Sequence, residues 1–197
     1  SKKAEYNGYT SETKVDIKLS GSVKQKDVSD KSARAIYKTA SEAGESSLRI
    51  SSGSRSPKEQ ARVMYNKTKS EGVTSMKNLY APAGDQVVDV FDKAQRGNII
   101  GSKLNNILGT DILTLSDTEI KSSMTNKINE LGPTSVSKHA SDPSVLQVFD
   151  IAPSSISDKS SFTQSININT GPGQVISRRF LPGGSEKAFH IEIPQTP

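Results

Sequence analysis

The sequence predicts an α+β fold, on three observations. Short stretches alternate apolar and polar residues with the period of a strand: Val15, Ile17 and Leu19; Val145 to Ile151; and Ala188 to Ile193. Between them lie stretches with helical spacing and explicit start signals, of which Ser56-Pro57-Lys58-Glu59 and Ser116-Asp117-Thr118-Glu119 are capping boxes. Finally, Pro182-Gly183-Gly184 separates two strand-like runs, as in an antiparallel hairpin.

In chain order, residues 1–12 are polar throughout and read as a flexible lead-in, and residues 13–197 as one domain, the expectation for a chain of 197 residues. Val15–Leu19 is the first strand. Ala33, Ile36, Tyr37, Ala40 and Ala43 form a helical stripe, and Gly44 stands where a C-terminal cap belongs. Leu48 and Ile50 mark a strand running into Ser51-Ser52-Gly53. Ser56 caps the next helix, Pro57 fits its first position, and Gly72 ends it. Asp85 to Arg96 reads as a helix closed by Gly97, with Asp85, Asp89 and Asp92 on its wet face. Ile99 to Leu108 continues in helical spacing up to Gly109. Residues at about 73–115 are therefore expected to be a helical insertion. Ile120, Met124, Ile128 and Leu131 line a further helix, stopped by Gly132-Pro133. Thr134 to Ala140 reads as a loop or strand edge, and Asp142-Pro143 as a turn. After the strand Val145–Ile151 come polar loops with a short helix around residues 160–165, then the closing hairpin.

Composition narrows the function. The chain has no cysteine, which excludes thiolate metal sites, redox centres and Cys nucleophiles. No apolar run has the length of a membrane span. A net charge of +5 would suit an anionic polymer, but no basic helix or aromatic–basic interleaving points to nucleic acid. The only two histidines, His139 and His190, each lie in a compact segment beside alternating apolar residues. Asp150 sits in a predicted buried strand, a costly place for a carboxylate unless it is paired or bound to metal. Together they make a His, Asp, His set, and three N/O ligands with one open position is how a catalytic zinc is held. Arg55, at a strand-to-helix turn, reads either as a solvated side chain or as a clamp for an anionic oxygen.

Three segments in order carry a family resemblance: Ser52-Gly53-Ser54-Arg55-Ser56; Ser137-Lys138-His139 with Asp150; and Phe189-His190-Ile191-Glu192. They resemble the signature segments of the zinc D-alanyl-D-alanine carboxypeptidases, a family that includes VanX-like and VanY-like peptidases and phage endolysin peptidases. The resemblance spans residues 30–193. It implies a small antiparallel sheet flanked by helices, similar to the hedgehog signalling domain, with one zinc ion on the sheet. His139, Asp150 and His190 would be the ligands, Arg55 would contact substrate or oxyanion, and Ser137 would support the substrate site. The implied activity is hydrolysis of peptide bonds in peptidoglycan stems or cross-links, next to a D-amino acid, and so outside the cytoplasm.

The sequence departs from the family pattern twice. Ten residues separate His139 from Asp150 where the family has six with a glycine among them, so a loop insertion is expected around Asp142-Pro143. Asp142 is the rival ligand. The position three before the last histidine, a catalytic glutamate in many members, is Lys187. Glu186 is then the favoured base and Glu192 the alternative, the latter also suited to holding a ligand in place. Two other functions stay open: a catalytically inactive binding module on the same fold, for cell wall or another protein, and a basic nucleic-acid-binding domain.

Overall fold

A computed structural model describes residues 15–196; the expected lead-in at 1–12 lies outside them. In chain order the elements are β1 (Asp16–Leu19), α1 (Asp30–Glu42), β2 (Ser47–Ser52), α2 (Pro57–Glu71), α3 (Val73–Leu79), α4 (Pro82–Leu108), α5 (Asp117–Leu131), α6 (Pro133–Val136), β3 (Leu146–Ile151), α7 (Lys159–Ile168), β4 (Arg178–Phe180) and β5 (Phe189–Pro194). A 3-10 turn, Lys138–Ala140, precedes β3. The chain divides into two compact units: residues up to Ser54 with those from Ser141, and Arg55–Ala140. The insertion expected at 73–115 falls inside the second, all-helical unit.

The first unit is α+β, with a five-stranded sheet in the order β1-β2-β3-β5-β4. The sheet is mixed, which corrects the expectation of an antiparallel one. β1 and β2 run parallel, Ile17 opposite Leu48, while the other three pairings are antiparallel. The physical reason is the connection: α1 lies between β1 and β2 in the chain, and a helical crossover returns the second strand in the same direction.

Strand alternation divides the sheet into two chemistries. Leu48 and Ile50 of β2, Phe149 and Ile151 of β3, and Phe189, Ile191 and Ile193 of β5 pack with Ile36 and Ala40 of α1 and Phe162 and Ile166 of α7. Phe162 meets Phe189 edge to face, ring centroids 5.0 Å apart, and each such side chain contributes about 1.5–3 kcal/mol by leaving water. The helices are anchored by caps: the Ser29 hydroxyl accepts the Ser32 N–H at 3.0 Å, and the Asp158 carboxylate accepts the Ser161 N–H at 3.0 Å. With a period of two, the residues between the core positions, Asp150, His190 and Glu192, belong to the opposite face of the sheet.

The helical unit packs α2, α4 and α5 around Met64, Tyr65, Val87, Val88, Phe91, Ile120, Met124 and Ile128. Tyr65 and Phe91 meet edge to face at 5.3 Å. Both capping boxes form, at Ser56 with Glu59 and at Ser116 with Glu119. Gly97 does not close a helix: α4 runs unbroken for 27 residues to Gly109, which takes the left-handed conformation (φ 61°). A lone glycine costs a helix only about 1 kcal/mol; Gly109 takes the positive φ of a glycine C-cap, whereas Gly97 keeps a helical backbone. The stretch Thr134–Ala140, read as loop or strand edge, instead supplies α6 and the 3-10 turn. Asp89 pairs with Lys77 and Asp92 with Arg96, as expected of a wet face, whereas Asp85 is half-buried with its Oδ1 shielded from solvent.

Candidate metal centre

His139 is placed by a chain of short turns. Pro133 opens α6, Ser137 caps it with an extended backbone, and the Ser137 carbonyl accepts the Ala140 N–H at 3.0 Å. His139 sits within that turn and is buried. Its own carbonyl accepts the Arg55 N–H at 2.6 Å, which ties the start of α2 to the histidine turn. The Arg55 guanidinium donates through Nη1 to Gln60 Oε1 at 3.2 Å, one helical turn into α2. Ser137 is half-buried.

Asp150 and His190 face each other directly across the β3–β5 ladder, with Val148 opposite Glu192 one step along the same face. His190 Nδ1 lies 3.0 Å from Asp150 Oδ1, and Nε2 lies 3.2 Å from Glu192 Oε1. Burial disfavours the imidazolium, but hydrogen bonds to Asp150 and Glu192 and the charge of both carboxylates outweigh it, and the His190 pKa rises from 6.5 to about 9. The Phe180 ring, opposite His190 on β4, lies against the imidazole with centroids 5.4 Å apart. Arg178 in turn stacks over Phe180 at 4.8 Å.

His139, Asp150 and His190 each offer a ligand atom, and these atoms lie within 4.8 Å of one another. This buried or half-buried group could hold a metal ion. Its donors, two imidazoles and one carboxylate with no sulfur, suit a divalent transition metal. The second nitrogen of His190 meets a buried carboxylate, the arrangement that orients a ligating histidine. Asp142 is not in the group. Its exposed carboxylate accepts the Ser144 hydroxyl at 2.7 Å and the Ser144 N–H at 2.9 Å, bonds that hold its pKa below the ordinary value. Asp142 thus anchors the turn between His139 and Asp150.

Glu186 and Glu192 occupy different settings. Glu186 closes a tight turn, exchanging two backbone hydrogen bonds with Gly183 at 2.9 and 3.0 Å, and its carboxylate accepts the Ala188 N–H at 3.3 Å. It is half-buried at the entrance to β5, while Lys187 is exposed. Glu192 is buried within β5 against His190. Phe180 carries no motif of its own; only the register of the hairpin, which sets it opposite His190, marks it.

Comparison with protein-family models, with curated proteins and with solved structures finds no match. Among the described residues, no helix is long and apolar enough to cross a membrane.

Proposed function

We propose that this chain is a zinc-dependent peptidase that hydrolyses peptide bonds in peptidoglycan stem peptides or cross-links, next to a D-amino acid. The observation that carries the proposal is the gathering of His139, Asp150 and His190, the residues the three-segment resemblance assigns as ligands. The proposal includes the hedgehog-like class of zinc D,D-peptidases and a place of action outside the cytoplasm, where that substrate lies.

His139, Asp150 and His190 would hold the ion. Zinc so held supplies a Lewis acid for the scissile carbonyl and lowers the pKa of a water to about 7. Glu186 accepts a proton from the attacking water and passes it to the leaving amine as the C–N bond breaks. Glu192 accepts a hydrogen bond from His190 Nε2, which turns Nδ1 toward Asp150 and the ligand group. Arg55, tied through its backbone to the histidine turn, offers its guanidinium to the substrate carboxylate or to the anionic oxygen formed during attack. Phe180, partly exposed beside His190, offers an apolar face to a substrate side chain.

The test is incubation with isolated sacculi and purified muropeptides, with and without a chelator, read by mass spectrometry. Chelator-sensitive loss of a terminal D-alanine establishes a carboxypeptidase; cleavage of cross-links or within the stem establishes an endopeptidase. A folded, zinc-loaded protein that yields no products sinks the proposal. It would point to a binding module on the same fold, the reading that Lys187, three positions before His190, favours.

A further inference from the structure

The C-terminal half of α4 and the segment after it form a built apolar surface that no other part of the described chain covers. After Gly97, the positions Ile100, Leu104, Ile107 and Leu108 fall at i, i+4, i+7 and i+8, one stripe of a helix. Such a stripe normally faces a core. Here all four side chains are exposed, Ile107 by 76%. The first half of the same helix does face a core, through Val87, Val88 and Phe91.

The segment 110–116 runs back along this half of the helix in extended form, and two asparagines seven residues apart clamp it. Asn105 donates to the Ile112 carbonyl at 2.9 Å and accepts the Ile112 N–H at 2.7 Å. Asn98 does the same for Leu115, at 2.8 and 2.7 Å. Each amide thus stands in for a neighbouring strand and satisfies both polar groups of one residue. Gly101 lies beneath, with Ile112 and Thr114 3.5 Å from where a Cβ would stand. The clamps fix the backbone while Leu113 remains 91% exposed. The surface is therefore ordered before anything binds it, which lowers the entropic cost of association.

We propose that this surface is the contact by which two copies of the chain form an isologous dimer. Its extent is the first argument. Ile100, Leu104, Ile107 and Leu108 of the stripe and Leu113 of the clamped segment are all exposed, a cluster that marks an interaction site, unlike the single exposed aliphatics scattered over an ordinary surface. One partner's share of a stable interface is about 800 Å2, and this run of aliphatic side chains supplies the apolar centre of such a share. Charge is the second. The protein carries +5 overall, so two copies repel, yet between Arg96 and Asp117 there is one cation, Lys103, and one anion, Asp111. Two copies meet here at little electrostatic cost, and the pairing of a patch with itself is what a two-fold axis produces. The same neutrality disfavours an anionic membrane surface, which selects basic residues around an apolar stripe.

The experiment is sedimentation velocity over a wide concentration range, on the full chain and on Ile107→Asp/Leu113→Asp. Both positions are exposed, so thermal melts should coincide. A concentration-dependent dimer is expected, with the double variant weakened at least about 100-fold, one tenfold step or more per buried aliphatic lost. The cysteine-free sequence allows a second reading. Ile107→Cys should oxidise to a covalent dimer, and Lys26→Cys, in the other unit, should not. A wild-type chain that stays monomeric throughout overturns the proposal, as does a dimer the double variant leaves intact. A monomer that binds phosphatidylcholine vesicles through the same two side chains overturns it in favour of a lipid partner.

Discussion

The two glutamates near His190 differ in what they touch, and that difference separates their effects. Glu192 meets His190 Nε2 at 3.2 Å inside β5. Glu192→Gln should weaken metal binding about 10- to 100-fold, the usual cost of losing a carboxylate behind a ligating histidine, as measured by chelator competition. Glu186 touches no ligand atom in the turn that precedes β5. Glu186→Gln should keep the metal and lower kcat about 10²- to 10⁴-fold. Equal metal loss in both variants would show that Glu186 is a ligand or a structural anchor, not the base. His139→Ala and Asp150→Asn should each reduce the bound metal well below one ion per chain, as counted by elemental analysis.

Single groups also decide stability among the elements. Glu45 is buried and accepts hydrogen bonds from the Ser157 N–H, the Ser157 hydroxyl and the Asp158 N–H at 3.1, 2.9 and 2.8 Å. It thereby pins the entry to α7 against the end of α1. Burial opposes its ionisation, but these donors outweigh burial and hold the pKa below the ordinary 4.5. A carboxylate with a lowered folded pKa stabilises above its unfolded value, and that contribution disappears as the pH falls through the folded one. Glu45→Gln should therefore cost about 1–3 kcal/mol at pH 7 and progressively less below pH 4.5, with the two denaturation curves converging in acid. In α4, Gly97 is helical and nothing lies within 4 Å of where a Cβ would stand. Gly97→Ala should stabilise the chain by about 0.5–1 kcal/mol, read as a higher Tm. A lower Tm would mean that the exposed face of α4 needs the glycine.

For the molecule as a whole, metal binding couples to folding because His139, Asp150 and His190 converge only in the folded chain. Saturation at 100 times Kd should stabilise by about 2.7 kcal/mol, so a chelator should lower the Tm, and zinc should restore it in the wild type but not in His190→Ala. Two hydrophobic clusters, one per unit, account for the ordered core. Local chemistry announced their elements wherever a helix begins with a side-chain cap, at Ser56 and Ser116, and wherever a strand alternates, at β3 and β5. It failed where the deciding force is not local. Gly97 looks like Gly109 in sequence, and only the backbone conformation tells a tolerated glycine from a terminator. α3 and α6 are short helices without side-chain caps: α3 lies inside the expected helical insertion with no start signal of its own, and Pro133, read as the stop of α5, is the first residue of α6.

Composition restricts the donors: with two histidines and no cysteine, a transition-metal site in this chain draws on imidazole and carboxylate, and period-two alternation already puts His190 and Glu192 on one face of their strand. Tertiary structure decided which aspartate joins them. Asp142 and Asp150 both follow His139, but Asp142 lies exposed in a turn where its Oδ1 accepts the Ser144 N–H and hydroxyl, while the antiparallel register sets Asp150 opposite His190. Strand pairing is a long-range choice, made by burying Phe149, Ile151, Phe189 and Ile191 together, and no window of local sequence contains it.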